Sequence, residues 1–548
     1  RDRLGLGEDD LAVMVGGTAV RQLFEAGQES TAAQSGSESA EALLADNLHV
    51  HYESALADGP LQRWLEKTPA AHKMVSAPIL ACTIDHLMPA CESLRGGHQI
   101  APMLRLLTSD LVLDEVDDFD MADLPALARL VYWAGLLGSR VLLSSATLPP
   151  ALVGGLFDAY CAGRRVYQAN RGEPGRALEV CCAWFDEFDR QASRHASRDT
   201  LLSAHAEFVG QRVQRLATQP VRRRGEILPL ALDSRKRPQV SAELAGQLLP
   251  AMLRLHQAQH TAASDGRRVS CGLLRMANIE PLTEVAQALF ALDAPQGTRI
   301  HLCVYHSRHP LLLRSALERE LDSLLNRHEE QVLFSHPLVR DALAAHPEQD
   351  QLFVVLASPV AEVGRDHDYD WAIVEPSSSR SLIQLAGRVR RHRSEPVAGS
   401  NLLLLQYNLL GLQGVQVAFA RPGFEQTEAR LTTHDLRRLL PQEQLQAINA
   451  VPRISPQGDL ADWPQRLDLL EHARLTGLLL EQGPLPGGDG INPHVADWWA
   501  AFDGQPSRLH LCAVLQQQTP FRAGRPDQPY ILQLEDDILQ LGEVVTVE

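Results

Sequence analysis

Residues 111–120 read LVLDEVDDFD, an aliphatic run leading straight into five carboxylates within seven positions. An apolar run ending in acid is the pattern a buried strand leaves at its carboxyl end, and the sequence behind it decides how the strand pairs. There, Leu124, Leu127, Leu130, Val131, Ala134 and Leu137 keep a period of three to four, the spacing of one helical face. Asp123 stands before that run as a cap and Pro125 lies in its first turn. RVLLSSAT (140–147) follows, a second short apolar run ending in small hydroxyl residues. Strand, helix, strand with polar groups gathered at the strand ends predicts a parallel sheet in an α/β fold.

The same alternation extends in both directions. LAVMVGGT (11–18) and APILACT (77–83) are strand-like runs upstream, separated by the exposed-loop composition of GQESTAAQSGSES (27–39). Residues 176–245 are more helical and arginine-rich, with VRRRG at 221–225, and suit a helical connector. A second α/β pattern follows in RVSCGLLRM (268–276), RIHLCVYHS (299–307), QLFVVLAS (351–358) and DWAIVEP (370–376). Beyond about residue 420 the alternation fades into helices, one starting near Asp462 with Pro464 in its first turn. GPLPGGDG (483–490) then leads to a tail containing DWWAAF. The expected units are an α/β unit at 1–175, a connector at 176–245, a second α/β unit at 246–420, a linker at 421–460 and a small C-terminal domain at 461–548. A chain of 548 residues is too long for a single core.

Composition excludes several classes. With 45% hydrophobic and 22% charged residues the chain is neither disordered nor fibrous. The most apolar window, LVYWAGLLGSRVLLSSATLPP, is broken by Arg140 and serines, so no membrane partner is expected and the location is expected to be cytoplasmic. Eight scattered cysteines without a CxxC predict buried free thiols rather than disulfides or a structural metal. The net charge of −17 excludes a non-specific nucleic-acid coat but leaves room for a local basic groove.

The chemistry-bearing residues lie at the strand ends. An Asp closing an apolar strand can hold magnesium through water, and the carboxylate after it can orient an attacking water. Asp114 and Glu115 have that placement, with Asp117 at the fourth position of the DExD tetrapeptide; taken alone, the four letters describe a solvated turn equally well. Ser145, Ala146 and Thr147 follow one strand–helix–strand unit later and could couple the acids to the rest of the unit. In the second pattern, ASPVAEVGRD places Ser358, Gly364 and Asp366 behind a strand, suited to a nucleic-acid phosphate and a ribose. RSLIQLAGRVRRHR then supplies Gln384, Gly387, Arg388 and Arg391, the two arginines sharing one helical face, where guanidinium forks suit the charge developing on a γ-phosphate. A basic surface helix is the plainer reading of that segment.

Together these elements resemble motifs II, III, V and VI of superfamily 2 helicases. More narrowly, TIDHLM (83–88), LVLDEVDDFD, ASPVAEVGRDHDYD (357–370) and EPSSSRSLIQLAGRVRRHR (375–393) resemble the helicase-nuclease of type I CRISPR systems, subtype I-F, in its C-terminal half. The resemblance implies two RecA-like lobes, the first incomplete at its N-terminal side, with ATP and Mg2+ as cofactors and a 3′-to-5′ translocase acting on single-stranded DNA. It implies Asp114, Glu115, Arg388 and Arg391 as catalytic residues, with Asp114 holding the magnesium. Asp117, Gln384, Gly364 and Asp366 would then serve the nucleotide. Gly16, Gly17, Thr18, Thr83, His306, Ser307, Arg308 and Ser358 would contact DNA. The partners implied are an RNA-guided surveillance complex, CRISPR adaptation (integration) proteins, phage-encoded inhibitor proteins and the N-terminal half of the same polypeptide. A generic superfamily 2 DNA or RNA helicase fragment, or a scaffold inactive as an ATPase, remains the alternative.

One departure is plain. A complete site of this kind needs GxxxxGK[ST], and the chain has three lysines. Lys73 precedes Met, Lys236 precedes Arg, and Lys67 precedes Thr68 but has no glycine at the required spacing. The phosphate-cradling loop is therefore expected on sequence upstream of Arg1, and this chain alone is expected to be inactive. HD dipeptides occur at His367-Asp368 and His434-Asp435, without the further ligands a nuclease metal site needs, and are read as chance pairs.

Overall fold

The strand–helix–strand unit around residues 111–120 forms as its pattern requires. In the computed structural model, which describes residues 10–14, 63–65, 67–92, 96–234, 236, 239–328, 332–362, 366–480, 520–521, 530–535 and 538–543, β1 (Leu11–Met14) pairs in parallel with β2 (Ile79–Cys82). β3 (Leu111–Asp114) pairs in parallel with β4 (Val141–Ser144), in a register that sets Asp114 opposite Ser144. The helix Leu124–Leu137 between them has Pro125 in its first turn and ends on Gly138 at φ 97°; Asp123 takes the cap position without a side-chain capping bond.

That helix crosses the helix Pro150–Arg171 at close range, through reciprocal glycines. A Cβ on Gly163 would lie 2.1 Å from the Tyr132 carbonyl oxygen, and one on Gly135 would lie 2.5 Å from that of Tyr160. Backbone cannot yield as a side-chain tip can, so Gly163→Ala must push the helices apart. A loss of at least about 1–3 kcal/mol is expected, read as a fall of several degrees in Tm; an unchanged Tm would contradict this packing.

The stretch 176–245 contains more strand than its composition suggested. β5 (Val180–Phe185) and β6 (Arg190–His195) form an antiparallel hairpin whose alternate residues Val180, Cys182 and Trp184 face Phe157, Cys161 and Leu201. β7 (Gly225–Leu228) is the edge of the large sheet. A four-residue edge strand packed on one partner leaves too short an alternation to stand out in the sequence.

The large sheet follows the second α/β pattern. β8 (Thr261–Ala262) pairs antiparallel with the start of β9 (Arg268–Arg275). β10 (Thr298–Tyr305), β11 (Asp350–Ala357), β12 (Trp371–Val374) and β13 (Leu402–Leu405) complete a parallel order β10-β11-β9-β12-β13-β7. Period-two alternation sorts its side chains between two cores. Leu352, Val354 and Leu356 join the helices Gln239–Gln259 and Ile279–Phe290, while Val355 and Ala357 face the opposite core. Covered on both faces, the central strands read as the near-continuous apolar runs from which they were identified.

The segment beyond residue 420 does not stand apart. Leu436, Leu439, Leu445, Leu467, Leu470, Leu475 and Leu479 belong to the same buried cluster as Leu111, Leu127 and Leu130. The helix expected near Asp462 begins later: Pro464 lies inside a 3-10 turn, Leu460–Gln465, and the α-helix runs Leu467–Leu479. The Pro464 carbonyl accepts the Thr432 amide at 2.8 Å, which ties that turn sideways and delays the helix. Of the expected C-terminal domain, a hairpin of β14 (Tyr530–Glu535) and β15 (Ile538–Glu543) is described, while DWWAAF lies outside the described residues. Among the described residues seven cysteines are free; Cys91, Cys161 and Cys271 are buried as expected, but Cys181 is exposed on the hairpin. No described helix is long and apolar enough to cross a membrane.

Two buried histidines make stability depend on acid. Burial lowers His205 and His472 to pKa values of about 4. The unfolded chain takes these protons near 6.5, so it binds more protons than the fold between pH 6.5 and 4. Their contribution is complete above about pH 6.5 and lost as pH falls toward 4, by up to about 3 kcal/mol each. Urea midpoints should fall across that window, and His205→Phe should flatten part of the slope.

Candidate nucleotide site between the acidic strand end and the arginine helix

β3 delivers Asp114 to an open strand end, where Ser144 Oγ donates to Asp114 Oδ1 at 2.8 Å. The chain then reverses sharply: Glu115 adopts φ 48°, a left-handed conformation uncommon outside glycine and seen often at functional turns. Removal from solvent, then the charges of Asp118, Asp117 and Asp114, raise the Glu115 pKa, with Arg388 opposing. Such a carboxylate holds its proton to higher pH than usual, which suits a group that orients or accepts a proton from water.

The reversal sends the remaining acids to different posts. Asp117 is 3% exposed, and its two oxygens accept the hydroxyls of Ser145 and Thr147, while the Ser145 hydroxyl also receives the Thr147 amide at 3.0 Å. Expected among the nucleotide-binding groups, Asp117 is thus buried as the link between the acidic turn and the SAT segment. The Ala146 carbonyl accepts Arg212 at 3.1 Å. Asp118, which stands outside the DExD tetrapeptide, accepts the Gln384 side-chain amide. Burial and Asp117 raise its pKa, against Gln384, Arg380 and Arg388. Asp120 stays exposed, 3.6 Å from Arg380.

From the other side, β11 leads into Ser358 and β12 into the helix Ser379–Ala386. Ser378 caps that helix by accepting the Ser381 amide. Its first turn carries Arg380, whose Nη1 donates to the carbonyls of Asp117 and Phe119 at 3.1 and 3.2 Å. Gln384, one turn on, reaches Asp118, so the segment docks directly on the acidic turn. The helix ends at Ala386, so Arg388 and Arg391, expected on one helical face, lie in the irregular segment beyond it, where Arg390 reverses the chain at φ 48°. Arg388 donates to the Glu362 carbonyl at 3.1 and 2.7 Å. Burial and Arg391 lower its pKa, while Glu115, Asp118 and Asp366 pull it up, which sets its charge beside the acids. Arg391 donates to Asp366 at 2.5 Å. Partial burial acts against the Asp366 charge, but Arg391, His392 and His328 outweigh it and lower its pKa.

Residues that local patterns did not reveal hold this assembly in place. Arg275, ending β9, donates to Glu362 at 2.5 Å, to the Glu375 carbonyl at 2.6 Å and to Ser377 at 2.8 Å, and Ser381 donates to Glu362 at 2.7 Å. A charged residue closing an otherwise apolar strand was the available signal. Arg393 bridges Asp368 and Asp370 at 2.7 and 2.6 Å, with Arg327 on Asp370 at 2.9 Å, all buried.

The remaining expected residues are dispersed. Thr83 is exposed at the end of β2, its amide bonded to the Met14 carbonyl at 3.1 Å. Ser307 and Arg308 are exposed after β10, but His306 is largely buried and stacks on His309 at 3.9 Å. Ser358, expected to touch a phosphate, is only 3% exposed. Gly16, Gly17, Thr18 and Gly364 lie outside the described residues. In each HD dipeptide the two side chains turn to separate partners: His367 to Asp322, Asp368 to Arg393, His434 to Glu425 and Asp435 to Gln406 and Arg437. Although sequence spacing suggested no metal cluster, His328, Asp366 and His392 come within ligand range of one another. Arg391 already sits on that carboxylate and the two imidazoles lie 3.8 Å apart, so the group reads as an ion-pair cluster at the end of the arginine segment.

The acidic end of β3 and the helix Ser379–Ala386 after β12 thus meet within a parallel α/β fold. A family model described as "CRISPR-associated nuclease/helicase Cas3, C-terminal" matches residues 268–394. The protein named CRISPR-associated nuclease/helicase Cas3 subtype I-F/YPEST from Pseudomonas aeruginosa is 56% identical over 539 residues, which cover 98% of this chain and 49% of that protein. The protein of the same name from Pectobacterium atrosepticum is 47% identical over 546 residues, again 98% of this chain and 49% of that one. The chain belongs to this subtype I-F Cas3 family of CRISPR-associated nuclease/helicases, and it spans about half the length of the curated relatives it matches. A solved structure of T. fusca Cas3 with ATP is similar at a TM-score of 0.42 and 19% identity, covering 72% of this chain and 40% of that one.

Proposed function

We propose that this chain is the helicase portion of a CRISPR-interference helicase-nuclease, an ATP-driven 3′-to-5′ translocase on single-stranded DNA within a longer polypeptide. The observation that carries the reading is the docking of the two motif sets: Gln384 on Asp118, Arg380 on the Asp117 and Phe119 carbonyls, and Arg388 beside Glu115 and Asp118. The name of the relatives, nuclease/helicase, supports it. β1 to β4 would belong to the first RecA-like lobe. The second lobe would be the large sheet, including β7, with residues 421–480 packed into the core it shares with the first.

The residues present fit half of a magnesium-nucleotide site. Asp114, exposed at its strand end and fixed by Ser144, would hold Mg2+ through water. The ion would supply neutralisation of phosphate charge. Glu115 would orient the attacking water, Arg388 and Arg391 would take up charge developing on the γ-phosphate, and Asp117 would report to Ser145 and Thr147. Lys73 lies within the helix Pro69–Ser76, Lys67 just ahead of it and Lys236 outside any glycine loop, so the β- and γ-phosphate cradle would come from the rest of the polypeptide. Thr83, Ser307 and Arg308 offer exposed groups to a DNA backbone. The nuclease centre, the docking of an RNA-guided surveillance complex, and contacts with adaptation and phage-encoded inhibitor proteins would involve surfaces beyond this site. The test is ATP hydrolysis by the full-length protein with and without single-stranded DNA: stimulation by DNA, and no hydrolysis by this chain alone, are the expected results.

A further inference from the structure

Two residues outside every helicase motif join the halves of the site. Glu471 lies on the helix Leu467–Leu479 and accepts the backbone amides of Ser379 and Arg380, the Arg380 amide at 3.2 Å to each oxygen. It thus closes the N-terminus of the helix bearing Gln384, where orphan amides and the helix dipole favour a carboxylate. Its Oε2 also takes Arg453 Nη1 at 2.8 Å, and Arg453 Nη2 stands 3.9 Å from Asp117 Oδ2. The side chains of Asp117, Arg453 and Glu471 are at most 2% exposed. A continuous polar path therefore runs from Ser145 and Thr147 through Asp117, Arg453 and Glu471 into the first turn of the arginine-bearing segment.

Stability alone is a poor reason for such a path. Burying three charges costs more than packing apolar side chains of similar volume, and Arg453 Nε finds no acceptor among the described residues. What the arrangement supplies is register. Arg453 is the cation shared by the acidic turn of one half and the helix cap of the other.

We infer that Arg453 and Glu471 are positioning residues that set the helix Ser379–Ala386, and with it the arginine segment that follows, against the acidic turn, so that Arg388 and Arg391 meet the phosphates only when both halves are aligned. The inference rests on the ATPase reading above. In reactions that depend on alignment, a displacement of about 1 Å can cost about 100-fold in rate.

The experiment uses the full-length protein, measuring DNA-stimulated ATP hydrolysis and thermal unfolding of wild type, Glu471→Gln, Arg453→Met and Arg453→Lys, with Asp114→Ala as reference. Glu471→Gln and Arg453→Met should lower kcat about 10-fold or more while KM for ATP moves less than about threefold, and Arg453→Lys should recover part of the loss. A kcat within twofold of wild type in the folded variants overturns the inference. So does a loss of activity that only tracks the loss of folded protein. Should Arg453→Met fail to fold, Glu471→Gln decides by the same twofold criterion. Hydrolysis surviving in Asp114→Ala would instead overturn the ATPase reading itself, and this inference with it.

Discussion

Asp114→Ala in the full-length protein should abolish DNA-stimulated ATP hydrolysis. The carboxylate is the last residue of β3, exposed at the strand end and steered by the Ser144 hydroxyl at 2.8 Å. Its neighbours cannot replace it. Asp117 accepts the Ser145 and Thr147 hydroxyls and Asp118 is engaged by Gln384, while Glu115 would have the separate task of orienting the attacking water. Removing the acid that closes β3, placed to meet a magnesium ion through water, would leave the phosphate charge without its principal counter-charge. Because Asp114 lies on the surface, the variant should fold with a Tm close to wild type. Undiminished turnover would mean that the acidic stretch is a solvated turn and that the ATPase reading is wrong.

Arg391→Ala should leave nucleotide binding mostly intact and slow hydrolysis by roughly 10³-fold or more, the range for an arginine that stabilises transferring phosphoryl charge. Here its guanidinium rests on Asp366 at 2.5 Å, and the side chain is 40% exposed. Arg388 is more buried and bound to the Glu362 carbonyl. Arg391 is therefore the one that can exchange partners, leaving a carboxylate for a phosphate without breaking a buried network. A twofold effect would mark it as a surface residue paired with Asp366. A kcat loss without a matching rise in KM is the signature of an interaction made mainly in the transition state.

The strands carrying chemistry were legible because each is short, apolar and stopped by a change of residue type. β3 ends in acid, β4 in hydroxyls, and β11 in Ala357-Ser358. Burial on both faces kept β9, β11 and β12 free of the helical period. The arginine segment was legible because Gln384, Arg388 and Arg391 are close in sequence and chemically distinctive. What escaped was whatever depends on distant partners. Asp118 looks solvated until Gln384, 266 positions away, is placed on it. Glu471 meets Ser379 across 92 positions, and no local spacing marks it. β7 was lost inside an arginine-rich stretch because its apolar content reflects one neighbour, β13, 177 residues downstream. The fading of the strand–helix alternation after residue 420 suggested separation, whereas the leucines there are spent on the shared core.

The helix Leu467–Leu479 also decides where the polypeptide can be shortened. A Cβ added to Gly155 would lie 2.8 Å from Leu479 Cβ, and one added to Gly154 would lie 3.1 Å from Leu480, so this helix lies nearly on the backbone of Pro150–Arg171. A version ended near residue 420, where the sheet pattern stops, would uncover that backbone and remove the cation that stands opposite Asp117. The smallest body that can carry the acidic turn and the arginine segment together therefore extends through Leu480, 87 residues past Arg393, where its last recognisable motif ends.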